Sequence, residues 1–362
     1  MTIELAFCID DNFAPYFATC IHSIKEHSSQ PVRAHVIGRL HHDTKTKILT
    51  LADNNVKFNF INEVPNYDRL SVSHRYGTRL NQITYWRFAL ADLLPNVSKL
   101  LYLDADILVS DDLAPLWNID IDDVFAAVVE DHSLMAQGYH DELGEGIAAY
   151  FNAGMMLINL DLWRSHKIKR QLIDTIETRT YWEFNDQDVL NIVLNEKVRY
   201  IDACYNSQTY TIANGLVDSP VVVHFTGQEK PWHASSSHPY TDKFREHLNS
   251  TPFETTRFDL VLDSEDNKIL DTLYSTLPSG GKLVLWGAGA RGRRLSMSIL
   301  SYSSQYTITY FIDSVLQGSW LDIPIYRPDK ANFDDVDALI IATLPARQHI
   351  VNSLHEASYI II

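Results

Sequence analysis

Asp104 and Asp106 flank a single alanine at the end of an apolar run, Leu100-Leu101-Tyr102-Leu103, and a second apolar stretch, Ile107-Leu108-Val109, follows at once. Carboxylates in such a place are costly to desolvate unless a cation offsets them. In an extended chain, residues two apart face the same side. The pair can therefore offer oxygens to one ion at the edge of a cleft. Hard oxygen donors suit Mg²⁺ or Mn²⁺, and an added imidazole shifts the preference toward Mn²⁺. His224 is the candidate imidazole, closing the apolar run Val221-Val222-Val223. The alternative is a solvated aspartate pair at a strand end, with His224 satisfied elsewhere.

Other chemistry-bearing residues stand at similar punctuation points. Asp10 and Asn12 follow the first apolar run, where nucleotide-binding α/β folds place their ligands; an Asx turn capping the next helix is the compatible alternative. Arg87 lies in TYWRF, whose apolar face would bury it. Asn152 and Gly154 precede a run expected as a buried strand at 155–159, so that the amide is presented at its mouth. Asp186, Gln187 and Asp188 open a helix in FNDQDVLN, where capping and the helix dipole alone would favour acids. Gly227 and Lys230 sit in the polar loop GQEKPWH, in which a solvated lysine is the bland reading. Far downstream, Gly287, Gly289 and Gly292 form G-x-G-x-x-G after a strand and before a helix, with Asp313 ending the next strand. That context suits dinucleotide or nucleotide binding, and equally a Rossmann-like module used for assembly.

The elements needed to position these residues can be read from hydrophobic patterning. Strands are expected at 3–9, 34–37, 56–61, 99–103, 124–129 and 221–225. Helices are expected at 14–26, 44–52, 83–93 and 186–194. Alternation of strands with helices argues for an α/β unit with a largely parallel sheet. Periodicity fades across 247–263, placing a boundary near residue 255. The chain then reads as a linker helix within 256–280 and a small Rossmann-like α/β domain over 281–362. Asp111 and Asp112 belong to a turn before 113–117, outside the acidic pair.

Composition narrows the class. Of 362 residues, 46% are hydrophobic and the formal net charge is −16, which suits a globular protein and disfavours nucleic-acid binding or broad attraction to anionic lipid. Three distant cysteines, Cys8, Cys20 and Cys204, indicate a reducing compartment. With no leader-like or membrane-spanning run, a cytoplasmic protein with at most peripheral membrane contact is expected.

Several blocks in order resemble glycosyltransferase family 8, retaining sugar transferases of GT-A fold: AFCIDDNFAPY at 6–16, TYWRF at 84–88, LYLDADILV at 101–109, FNAGMMLINLDLW at 151–163, NDQDVLN at 185–191 and HFTGQEKPWH at 224–233. The resemblance covers about residues 3–245, and within the family it is strongest to bacterial lipooligosaccharide α-galactosyltransferases. It implies a GT-A domain with a mixed, mainly parallel sheet over 1–255, to which the Rossmann-like domain is added. It also implies a UDP-sugar donor and Mn²⁺ or Mg²⁺ held by Asp104, Asp106 and His224. Asp10 and Asn12 would take the uracil–ribose end, with Asp104 also touching the ribose. Gly227 and Lys230 would close over the diphosphate. Arg87, Asn152 and Asp186 would hold the donor sugar, with Gln187 beneath its anomeric carbon and Asp188 as a structural partner. At the aspartate that the relatives place near the acceptor, Glu130 aligns without a gap and Asp131 lies one step away.

These expectations describe a metal-dependent hexosyltransferase moving galactose or glucose to a saccharide or lipid-linked saccharide acceptor, in lipopolysaccharide or surface polysaccharide biosynthesis. A neutral amide is a poor nucleophile, so Gln187 favours front-face attack over a covalent intermediate. The alternatives are a catalytically silent sugar-nucleotide-binding scaffold that self-assembles through its C-terminal domain, and an NAD-dependent enzyme led by that domain.

Overall fold

The computed structural model describes residues 2–67, 70, 82–144, 146–253, 260, 262–354 and 359–362. The expected boundary near 255 and residues 68–69 and 71–81, between the expected strand at 56–61 and the expected helix at 83–93, lie outside the described residues. The chain divides into two compact units, residues 1–228 with 242–256, and residues 229–241 with 257–362.

The first unit is built on strands β1 (Ile3–Cys8), β2 (Val32–Ile37), β3 (Val56–Ile61), β4 (Lys99–Leu103), β5 (Ile107–Val109), β6 (Ala126–Glu130), β7 (Phe151–Asn159), β8 (Val198–Tyr200), β9 (Ser207–Gln208) and β10 (Val222–His224). Seven form one sheet in the order β3-β2-β1-β4-β7-β6-β8. Four of its pairings are parallel, and β7 runs antiparallel to both β4 and β6. The inner strands β1, β2 and β4 are buried on both faces along most of their length, as parallel α/β sheets require, while the edge strand β3 is only part-buried. Helix Ala14–His27 follows β1 and buries Phe17, Ala18, Ile21 and Ile24.

Three local departures from the sequence pattern matter for the site. The helix expected at 83–93 is instead a 3₁₀ segment, Gln82–Ala89, with a single α-turn, Leu90–Leu93. Tighter winding puts residues three apart on one side, so Thr84 and Arg87 share a face. Asn152 and Gly154 lie within β7 rather than before it, because the strand begins at Phe151. The β6–β7 register also jumps between Val128 and Val129, from Met156 to Asn152, so Ala153, Gly154 and Met155 bulge out of that pairing.

A small second sheet, β5-β10-β9, joins distant parts of the chain. Antiparallel pairing sets Ile107 opposite His224 and Val109 opposite Val222.

The second unit contains β11 (Gly281–Trp286), β12 (Tyr306–Ile312), β13 (Gly318–Trp320), β14 (Ile323–Tyr326), β15 (Ala338–Ile341) and β16 (Ile360–Ile361), in the order β13-β14-β12-β11-β15-β16. All pairings except β13–β14 are parallel. Helix Ser264–Thr276, expected as a linker, packs Ile269, Leu270 and Leu273 into this unit's core. A capping box from Asp263 and Asp266 starts it, and Arg291 and Arg294 of the helix Ala290–Tyr302 pair with both acids. Among the described residues no helix is long and apolar enough to cross a membrane.

Candidate active site

The acidic pair stands where β4 ends. Asp104 continues the β4–β7 ladder by donating its N–H to the Gly154 carbonyl at 2.8 Å. Asp106 precedes β5, and its carbonyl accepts the N–H of Phe225 at 3.0 Å. The β5–β10 register therefore carries His224 to the acids, with its Nε2 3.4 Å from Asp106 Oδ1. Ligand atoms of Asp104, Asp106 and His224 all lie within 4.8 Å of one another.

Two observations fit this triad to a divalent cation. His224 Nδ1 donates to Asn206 Oδ1 at 3.0 Å, which leaves the Nε2 lone pair directed at the acids. Gly154 also keeps a space open: a Cβ there would lie 2.2 Å from His224 Cε1 and 2.8 Å from Asp104 Oδ2. Two carboxylates and one imidazole form a donor set for a Mn²⁺-like ion.

Arg87 is buried, as its place in TYWRF implies. Its guanidinium donates to Asp104 Oδ1 at 2.9 Å and to the Ala153 carbonyl at 2.8 Å. Its Nε lies 2.9 Å from Asp186 Oδ2. The ring of Tyr102 stacks 4.4 Å from the guanidinium carbon, and its hydroxyl donates to Asp104 Oδ1 at 2.7 Å. Burial alone would make Arg87 easier to deprotonate; the Asp104 and Asp186 carboxylates outweigh it and push its pKa up. Burial pushes the Asp186 carboxyl up to about 6, against the opposing pulls of Arg87 and the Thr84 hydroxyl that donates to it.

Asn152, Gln187 and Asp186 come together around the β7 bulge. Gln187 Oε1 accepts the Ala153 N–H at 3.0 Å, and its Nε2 donates to Asp131 Oδ2 at 3.3 Å. Asn152 Nδ2 donates to the same oxygen at 3.2 Å, while Asn152 Oδ1 accepts from Asn206 Nδ2 and from the Gly154 N–H, each at 3.1 Å. One hydrogen-bonded chain thus runs His224–Asn206–Asn152–Asp131–Gln187. Asp131, not the gap-free match Glu130, supplies the buried carboxylate here. Asn185, just before Asp186, holds φ +51°, a costly backbone for an L-residue that aims the helix start. Asp188 is structural: it accepts from the hydroxyls of Tyr150 at 2.7 Å and Tyr139 at 3.1 Å and from the Phe184 N–H at 2.9 Å.

The remaining expected residues sit as follows. Asp10 Oδ1 accepts the N–H groups of Asn12 and Phe13 at 3.0 and 3.1 Å, an Asx turn where β1 opens. Gly227 adopts φ +86° in the loop after β10. Lys230 belongs to the second unit, where its N–H donates to His233 Nδ1 at 3.2 Å. In that unit Gly287 has φ +110°, and Gly292 abuts the Gly287 carbonyl. Asp313 accepts the N–H groups of Ala288, Val315 and Leu316. All three cysteines are free thiols, and burial pushes Cys8 up to about 12, so it is no nucleophile at neutral pH.

Asn206 and Tyr102 were not singled out by sequence. Asn206 occupies an ordinary 3₁₀ turn, Ala203–Asn206, and gains its role only from the β9–β10 pairing.

A sheet mouth with this constellation has the form of a GT-A glycosyltransferase, and comparison with known proteins agrees. The family model described as glycosyl transferase family 8 matches residues 4–236. General stress protein A of Bacillus subtilis is 28% identical over 280 residues, covering 70% of this chain and 95% of that protein. The lipopolysaccharide 1,3-galactosyltransferase of Salmonella typhimurium is 30% identical over 185 residues, 47% of this chain and 55% of the relative. The solved galactosyltransferase LgtC, in complex with donor and acceptor sugar analogues, superposes with a TM-score of 0.64 at 25% identity, covering 74% of this chain and 99% of that one. The chain belongs to glycosyl transferase family 8.

Proposed function

We propose that this glycosyltransferase moves galactose or glucose from a UDP-hexose to a saccharide acceptor with retention of anomeric configuration, in the cytoplasm and in the assembly of lipopolysaccharide or another surface polysaccharide. The observation that carries the reading is the convergence of Asp104, Asp106 and His224 on one ion's reach. The names of the Salmonella relative and of LgtC support the hexose and the lipopolysaccharide.

Asp104, Asp106 and His224 would hold Mn²⁺ or Mg²⁺, which when bound spreads the charge of a departing diphosphate. The other steps belong to the chain's own side chains. Asp10 and Asn12 receive the uracil–ribose end of the donor. Arg87 fixes Asp104 through one nitrogen and approaches Asp186 through another, so ligand carboxylate and sugar-binding carboxylate are positioned as one body. Asp186 accepts from sugar hydroxyls. Gln187, its amide held by Ala153 and Asp131, turns a dipole toward the oxocarbenium-like carbon without becoming a nucleophile. The acceptor hydroxyl then enters on the face the diphosphate leaves, and a phosphate oxygen takes its proton.

UDP release from purified protein, screened over UDP-hexoses with and without Mn²⁺, tests the reading. Metal-dependent release from UDP-galactose or UDP-glucose is expected. UDP binding with no release under any condition would instead favour a silent scaffold, and a trapped glycosyl adduct on Gln187 or Asp186 would remove the front-face route.

A further inference from the structure

Among the described residues, one other cluster has the geometry to hold a metal: His22, Glu26 and His247, all in the first unit. His22 and Glu26 lie one turn apart on the helix Ala14–His27, and His247 is in the last turn of the helix Thr241–Asn249. His22 Nδ1 is 3.0 Å from His247 Nδ1. The carboxylate closes the triangle, with Oε1 3.9 Å from His22 Nδ1 and Oε2 3.7 Å from His247 Nδ1. Ligands about 2.0–2.1 Å from a tetrahedral centre lie roughly 3.3 Å apart, so these edges suit one small ion.

The chemistry of the three groups points the same way. Two imidazole nitrogens facing each other so closely cannot both carry protons. His247 is buried, and its ring meets that of His22 edge-on with centroids 5.2 Å apart. His27 points its Nδ1 at the Ser23 carbonyl, 2.8 Å away, and so leaves the triangle to the other three. Glu26 is about half exposed, at 54%, which gives an ion a way in and a water a fourth position. Two imidazoles and one carboxylate form a borderline donor set that favours Zn²⁺ over Mg²⁺ or Mn²⁺. The matched family segment ends at residue 236, so His247 lies beyond it.

We propose that His22, Glu26 and His247 form a second divalent-metal site, of zinc type, that staples the helix Thr241–Asn249 to the helix Ala14–His27. It is separate from the strand-mouth triad and does not depend on it.

The test uses the full chain, stripped with a chelator, in an Asp104→Asn/Asp106→Asn background that disables the strand-mouth triad. Zn²⁺ is titrated calorimetrically, and Co²⁺ is followed by its visible absorption. One equivalent of Zn²⁺ is expected to bind, with the intense visible bands of four-coordinate Co²⁺. Adding His22→Gln or Glu26→Gln is expected to weaken Zn²⁺ by about tenfold or more, since even outer partners of metal sites contribute that much. Glu26 is a surface residue, so its variant keeps the fold in view by circular dichroism. His22→Gln in the otherwise unaltered chain should leave Mn²⁺-supported UDP release unchanged, and in the disabled background it should remove the Zn²⁺-induced rise in melting temperature. Absence of Zn²⁺ binding in the disabled background, or equal binding with and without His22→Gln and Glu26→Gln, would overturn the proposal.

Discussion

At the mouth of β4, Asp104 and Asp106 turn oxygens toward His224 Nε2, while at the end of β12 Asp313 turns its oxygens toward backbone. Both are aspartates ending apolar parallel strands, and sequence offers each as a ligand. A carboxylate has about four acceptor sites, and three of those on Asp313 serve the amides of Ala288, Val315 and Leu316. Asp104 is held instead by side chains, Arg87 and Tyr102, on one oxygen. The difference teaches that a strand-end acid keeps an oxygen for other side chains and a cation where side chains orient it, and serves as a turn residue where backbone N–H groups claim it.

Substitutions can break this contrast, and the largest effect belongs to Arg87. Arg87→Met leaves Asp104 and Asp186 without their buried cation, so a loss of about 3–5 kcal/mol in denaturant unfolding is expected together with loss of turnover. An unaltered unfolding midpoint would show that the guanidinium is not what holds the two carboxylates. Next is Gly154→Ala, whose new Cβ would meet His224 Cε1 at 2.2 Å. Displacing a ligand by such an amount should lower kcat on the order of a hundredfold, read from UDP release at saturating donor.

The second unit supplies the counterpart. A Cβ at Gly292 would lie 1.9 Å from the Gly287 carbonyl oxygen, whereas one at Gly289 meets nothing within 4 Å. Gly292→Ala should therefore cost about 1–3 kcal/mol of stability, as overpacking does, and Gly289→Ala much less. Equal costs would mean that helix–strand packing does not explain the third glycine. The smallest effect is on pH. Burial pushes the Asp186 carboxyl up to about 6, so protonation weakens its pairing with Arg87 as pH falls. Turnover should drop by about twofold between pH 7 and pH 6 and further below, and Asp186→Asn should remove that limb. Because the folded value lies above the ordinary 3.8, this carboxyl's contribution to stability declines as pH rises from about 4 to 6.

Sequence made the sheet and the meeting of Asp104, Asp106 and His224 legible because both depend on local signals: apolar runs, and acids or a histidine at their ends. The β3, β4 and 186–194 boundaries were readable for the same reason. What stayed hidden depends on pairing between distant strands. Asn206 matters only because the β9–β10 ladder carries it to His224. The burial of Asp131 follows from the bulge in β7, which no residue type announces. The 3₁₀ winding at 82–89 was equally hidden, since its apolar spacing also fits an α-helix.

The central claim is that Asp104, Asp106 and His224 hold the ion on which transfer depends. Mn²⁺ bound by the full chain with UDP, counted by electron paramagnetic resonance for the parent and for Asp106→Asn, tests it most directly. The parent should hold one more equivalent than the variant, with turnover falling on the order of a thousandfold in step. Equal Mn²⁺ binding, or unchanged turnover in a folded Asp106→Asn, would contradict the account.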